Sequence, residues 1–164
     1  MNQFLPALPL AGLRVVVVGA GDAAENKLRL FRTSPAELVW RCLDRRAPPP
    51  RDLNPEAQII AGDRVPLGAF RRARLVFIAV EDERRAARLA RRARRAGALV
   101  NVVDRPHLSD FHTPALVDRG ALTIALASGG AAPVLVRDLR AAIEGVAPKG
   151  AGRLAEAANA VKDE

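Results

Sequence analysis

Apolar runs that stop at glycines or carboxylates set the rhythm of the first hundred residues. Arg14 to Val18 is a short, nearly continuous apolar run halted by Gly19, the pattern of a buried parallel strand. Asp22 to Arg32 reads as a helix with Ala23, Ala24, Lys27, Leu28 and Phe31 on one face, closed by Thr33-Ser34-Pro35. Glu37 to Leu43 forms a second predicted strand. The stretch from Arg45 to Pro55 contains four prolines and is a loop. Gln58 to Ala61 is a short third strand before a turn at Gly62-Asp63, and Leu75 to Val80, apolar throughout, is a central fourth. In Glu83 to Ala96 the residues Ala86, Leu89, Ala90, Ala93 and Ala96 recur at spacings of three and four, so one helical stripe packs on the sheet. Arg84, Arg88, Arg91, Arg92 and Arg95 fill the opposite side and read as a solvated exterior. Gly97 caps that helix, and Leu99 to Val103 is the fifth strand. Strands alternating with helices predict an α/β fold with a Rossmann-type, doubly wound parallel sheet.

The texture changes after Asp104. Phe111 to Val117 is a strand interrupted by Pro114, Leu122 to Ala127 is another, and Val134 to Ile143 is a helix with Pro133 at its start. Gly145, Pro148 and Gly150 break that helix, and Arg153 to Lys162 is a short alanine-rich one. This small α+β segment cannot bury its own apolar faces well and is expected to pair with a second subunit. The partition is therefore 1–113 as a Rossmann-type domain and 114–164 as a smaller dimerisation segment.

Composition narrows the picture only a little. A single cysteine, Cys42, excludes an internal disulfide and suits a reducing cytoplasm. Met1-Asn2-Gln3 lacks a basic start, Pro6 and Pro9 interrupt the first apolar stretch, and no run reaches a membrane-spanning length, so no targeting or membrane segment is expected. The formal charge is +8, and only Lys27, Lys149 and Lys162 among the 26 basic residues are lysine. Such a surface attracts anions, although arginine-for-lysine bias also follows from base composition alone. Aromatic residues make up only 4% and tyrosine is absent, so the stacking surface of a nucleic-acid binder is missing.

The motif Gly19-x-Gly21-x-x-Ala24 carries the first chemistry. The first glycine makes the tight turn out of the strand, the second lets a pyrophosphate approach the backbone, and Ala24 allows close helix–strand packing. Phosphates then meet free N–H groups at the helix start. Asp44 lies 23 residues beyond Gly21, near the offset at which a carboxylate binds the ribose hydroxyls of NAD. Arg45 and Arg46 pull toward NADP; the carboxylate favours NAD. Asp104 leaves an apolar strand at the edge where ligands of such sheets sit, which makes it a candidate acid/base. His107, His112 and Cys42 form no metal-ligand cluster, and no resident metal is expected.

Four segments occur in order: Gly19-Ala-Gly-Asp22-Ala-Ala-Glu-Asn26-Lys27, Asn101-Val-Val-Asp104-Arg-Pro106, Pro114-Ala-Leu-Val-Asp118-Arg119, and Ala127-Ser128-Gly-Gly-Ala-Ala-Pro133-Val-Leu-Val-Arg137. Together they resemble the precorrin-2 dehydrogenase/sirohydrochlorin ferrochelatase module of siroheme synthase, over roughly residues 4 to 145. The resemblance implies NAD-dependent oxidation of precorrin-2, insertion of Fe²⁺ as a chelatase substrate in bifunctional members, and a homodimer. It also implies that Asp104 is catalytic, that Asp22, Ala23, Leu43 and Asp44 join Gly19 and Gly21 at the cofactor, and that Ser128 lines the tetrapyrrole site. Asn101, Arg105, Arg119 and Arg137, in or near the matched motifs, are candidates for the carboxylate-rich substrate. Asn26 departs from the basic residue usual there, and the family's helical C-terminal part commonly runs further, often into a methyltransferase domain. A non-catalytic NAD-sensing module is the alternative.

Overall fold

The computed structural model describes residues 3–161. It divides into two compact units, Ala7–His112 and, joined to Met1–Pro6, Thr113–Glu164.

The larger unit is a five-stranded parallel sheet in the order β3-β2-β1-β4-β5. Its strands are β1 (Arg14–Gly19), β2 (Glu37–Cys42), β3 (Gln58–Ala61), β4 (Ala73–Ala79) and β5 (Leu99–Val102). The valines Val15 to Val18 of β1 are fully buried, as a strand covered on both faces requires. Helix α1 (Gly21–Arg29) joins β1 to β2, and α2 (Glu83–Arg95) joins β4 to β5. Those two crossovers run in opposite directions from the middle of the sheet. With right-handed connections, the helices must therefore lie on opposite faces. The core divides accordingly: Ala24 and Leu28 of α1 pack with Val15, Val17, Trp40 and Phe77, whereas Ala86, Leu89, Ala90 and Ala93 of α2 pack with Val16, Val18, Val76 and Ile78. The fold is the α/β doubly wound sheet that the alternation predicts.

Several boundaries move. The first helix ends at Arg29 rather than Arg32, unwinding through turns before Pro35. The fourth strand is interior, but β1 holds the centre of the sheet. The links from β2 to β3 and from β3 to β4 contain no α-helix, only a short 3₁₀ turn at Leu67–Phe70.

In the smaller unit, β6 (Ala115–Asp118) and β7 (Thr123–Leu126) form an antiparallel hairpin, followed by α3 (Pro133–Val146) and α4 (Ala151–Ala160). The strand predicted from Phe111 begins only after Pro114, which has no N–H to give a ladder. Gly145 does not break α3; the helix continues to Val146, and Ala147 before Pro148 is extended, as a residue preceding proline prefers. The last helix starts at Ala151 and is described to Ala160, so the expected end at Lys162 lies outside the described residues. Arg119 donates to the carbonyls of Glu144 and Ala147 at 3.0 and 3.2 Å, satisfying acceptors that the end of α3 leaves open. Gly152 is required where it stands, because a Cβ there would lie 1.6 Å from the Arg119 carbonyl oxygen. None of α3 is buried.

Candidate active site at the carboxyl edge of the sheet

The chain leaves β1 and β4 in opposite directions, so a crevice opens beyond their carboxyl ends. Gly19 lies on the β1 side of it, with φ +138° and no space for a side chain: a Cβ would sit 2.0 Å from the Ala79 carbonyl oxygen of β4. Two further bonds fix this turn. The indole Nε1 of buried Trp40 donates to the Gly19 carbonyl at 3.0 Å, and the Leu43 N–H reaches the same oxygen at 3.4 Å.

Gly21 differs from Gly19. Its φ is +69°, and a Cβ would meet nothing within 4 Å. Gly21, Asp22 and Ala23 are exposed, and Ala20, which precedes α1, offers no side-chain cap to the helix. The first turn of α1 thus presents uncapped N–H donors to open space, the arrangement that holds a pyrophosphate. Asp44 lies two residues past β2, exposed, its Oδ1 accepting from the Arg46 N–H at 2.8 Å. The second carboxylate oxygen remains available for ribose hydroxyls. Leu43, half-buried, packs on the core beside it. These residues fit a dinucleotide.

Asp104 lies two residues past β5, exposed, with φ +57°. Aspartate tolerates this left-handed conformation better than most residues. The turn is closed by the Arg105 N–H on the Val102 carbonyl at 3.1 Å. Its neighbours hold the loop from several sides. The Arg105 guanidinium donates to the carbonyls of Val80 (3.0 Å) and Glu81 at the end of β4 and pairs with Glu83 at 3.7 Å. The Ser109 hydroxyl accepts from the Val102 N–H and donates to the Arg105 carbonyl, both at 2.9 Å. His107 reaches Glu83 at 3.2 Å. Asn101 is buried, its Nδ2 donating to the Phe111 carbonyl at 2.9 Å while its Oδ1 has no partner.

The larger unit therefore brings Gly19, Gly21, Asp22, Ala23, Leu43, Asp44, Asn101, Asp104 and Arg105 to or near one sheet edge. Arg105 is committed to backbone carbonyls there, so its visible work is to set the Asp104 loop. Ser128, Arg119 and Arg137 belong to the smaller unit. Ser128 accepts from the Ala132 N–H at 3.1 Å ahead of α3, Arg119 braces the end of α3, and Arg137 is exposed beside Asp138. Among the described residues, no group of three or more His, Cys, Asp or Glu is placed to hold a metal ion, and no helix is long and apolar enough to cross a membrane.

One charged residue here had no role assigned from sequence. Lys27 of α1 is half-buried, with Nζ 5.8 Å from the centroid of the Phe77 ring. Burial pushes its ammonium below the ordinary lysine value, and attraction to Asp104 works in the opposite direction. A lysine on the apolar face of a helix was the available signal.

A family model described as "Putative NAD(P)-binding" matches residues 7–115. The chain belongs to this NAD(P)-binding family. It is also similar to the siroheme synthases of Psychrobacter arcticus (35% identical, 96% of this chain and 29% of that protein), Ectopseudomonas mendocina (38%, 98% and 35%) and Gluconacetobacter diazotrophicus (40%, 91% and 33%). The chain spans about a third of the length of these curated relatives. Among solved structures it matches SirC, precorrin-2 dehydrogenase, with TM-score 0.74 and 17% identity, over 94% of this chain and 76% of that one. At that identity the likeness establishes the fold.

Proposed function

We propose that this chain is an NAD-dependent dehydrogenase that oxidises precorrin-2 to sirohydrochlorin. The observation that carries the reading is a shared edge: an uncapped helix start able to hold a dinucleotide and the Asp104 carboxylate stand at the carboxyl ends of one sheet. Similarity to siroheme synthases over nearly the whole chain supports the substrate.

Oxidation of the macrocycle removes a hydride and a proton. NAD, when bound, supplies the hydride acceptor. The α1 N-terminus and Gly21 hold the pyrophosphate, and Asp44 takes the ribose hydroxyls, which favours NAD over NADP. Asp104 accepts the proton, and its loop is held by Arg105 and Ser109. Asn101, Ser128, Arg119 and Arg137 are the substrate-facing set, with Arg137 exposed, and Arg105, named with them from sequence, serves instead by holding the Asp104 loop. Fe²⁺ is read as a metal substrate for sirohydrochlorin, with Asp104 receiving a displaced pyrrole proton. A homodimer is supported by the exposed Val134, Leu135 and Leu139 of α3, an apolar surface that a second copy of the chain would cover.

An anaerobic absorbance assay with precorrin-2 and NAD tests this directly. Wild type should form sirohydrochlorin and NADH together. Asp104→Asn, which keeps the left-handed turn, should lose about 10²- to 10⁴-fold in turnover with NAD affinity retained. NAD binding without turnover by wild type would overturn the dehydrogenase reading in favour of an NAD-sensing module. Fe²⁺ added to the same cuvette reports chelation.

A further inference from the structure

Two surfaces stand outside this account and carry nothing further. The exposed arginines Arg84, Arg88, Arg91 and Arg95 form a stripe along α2 with no sign of a ligand. The edge strand β3, with Ile59 and Ile60 exposed, has nothing to show what would cover it. The opposite edge of the sheet is different, because a network of side chains closes it.

Strand β5 is the last in the sheet, so the N–H groups of alternate residues point away from β4 with no neighbouring strand to meet them. The chain itself supplies their partners. After Asp104 it turns through a short 3₁₀ segment at Pro106–Leu108 and comes back beside β5. There Asp110 Oδ2 accepts from the Val100 N–H at 2.9 Å, and the Asp110 N–H donates to the Val100 carbonyl at 2.7 Å. The Ser109 hydroxyl takes the Val102 N–H at 2.9 Å. Two side chains thus hold the N–H groups that a sixth strand would otherwise pair.

The Asp110 carboxylate is in turn held from α2. Arg94 Nε lies 2.8 and 3.1 Å from its two oxygens, and the same guanidinium donates to the Leu108 carbonyl at 2.7 Å. Charge-assisted bonds of this kind are shorter and stronger than neutral ones. The loop that carries Asp104 is therefore closed into a ring, from Val100 out through Asp104 and back to Asp110.

We propose that Asp110, locked by Arg94, is a positioning residue for Asp104: it anchors the returning end of the loop, whose other side Arg105 ties to β4. Asp104 has its backbone in the left-handed turn of that ring, so a slip of the returning chain along β5 moves the carboxylate. A displacement of about 1 Å is enough to cost about 10²-fold in rate. The consequence for turnover rests on the dehydrogenase reading; the anchoring of the loop does not.

Asp110→Ala removes the anchor. Arg94→Met removes only its cation, and it decides the matter if Asp110→Ala does not fold. Followed by NMR, amide hydrogen exchange at Val102 and Arg105, whose N–H groups bond within the loop, should quicken by about 10-fold or more in both variants. Val16 to Val18 of β1 should exchange as in wild type. In the precorrin-2 assay kcat should fall about 10²-fold in Asp110→Ala and about 10-fold in Arg94→Met, with NAD affinity unchanged. Added to Asp104→Asn and measured in single turnovers, either change should cost nothing more, since no carboxylate is left to misplace. Unchanged exchange at Val102 and Arg105 overturns the anchor, whatever the activity. Faster exchange with wild-type kcat overturns the positioning role, as does an equal loss in the Asp104→Asn background. If wild type fails to oxidise precorrin-2, the dehydrogenase reading falls, and the exchange rates still decide the anchor.

Discussion

Helices α2 and α3 have nearly equal lengths and opposite fates. Helix α2 is mostly arginine and alanine, yet Ala86, Leu89, Ala90 and Ala93 are sealed against the sheet. Helix α3 is the more apolar sequence, with Val134, Leu135, Leu139 and Ile143 among its 14 residues, and buries none of them. The difference lies in what each helix has beneath it. A five-stranded parallel sheet takes the α2 stripe, whereas α3 accompanies a hairpin of two four-residue strands, whose one fully buried side chain is Val117. Apolar content therefore says how much surface a helix needs covered, and the tertiary structure says whether its own chain covers it.

The sharpest way to break this comparison is to truncate one leucine from each helix. Leu89→Ala should cost about 2–5 kcal/mol in urea unfolding, the usual loss for a leucine removed from a packed core. Leu135→Ala, 57% exposed, should stay within about 0.5 kcal/mol for the isolated chain. The same change should weaken self-association in sedimentation velocity. Equal stability losses would mean that α3 is packed like α2.

A smaller effect sharpens the contrast by finding one tight joint in each unit. Gly19→Ala must displace the Ala79 carbonyl, and Gly152→Ala the Arg119 carbonyl. Overpacking of this kind costs about 1–3 kcal/mol. Gly19→Ala should be the worse of the two in thermal unfolding, since its φ of +138° adds strain that the α-helical position of Gly152 does not. A harmless Gly152→Ala would show that α4 is not seated against the β6–β7 turn.

The smallest effect concerns charge, which the larger unit buries at Lys27. Burial makes the folded chain bind this proton less tightly than the unfolded chain does. The unfolded state thus holds more protons as pH climbs toward 10.5, and the contribution of Lys27 to stability improves with rising pH. The difference in unfolding free energy between wild type and Lys27→Met should shift in favour of wild type from pH ~7 to pH ~10. A constant difference would mean that the ammonium is fully hydrated.

Much of the fold was legible because its signals are local. Four consecutive valines before Gly19 specify a buried strand in any context, and the three-and-four spacing of Ala86, Leu89, Ala90 and Ala93 specifies a helical stripe. Boundaries were less legible where two local rules compete. Gly145 weakens a helix, but it faces open space, and Pro148 ends α3 where its sterics demand. Lys27 could be placed on an apolar face from sequence, but its neighbour Phe77 comes from β4.

By itself the sequence determined the strand–helix alternation, the glycine turn and the placement of Asp44 and Asp104 just past strand ends, since these depend on residues close along the chain. Tertiary structure alone decided that Gly19 is excluded from substitution by a carbonyl 60 residues away, that Arg105 is bound to the end of β4, and that Lys27 lies over the Phe77 ring. Those outcomes follow from strand order and register, which long-range packing selects and no local pattern records.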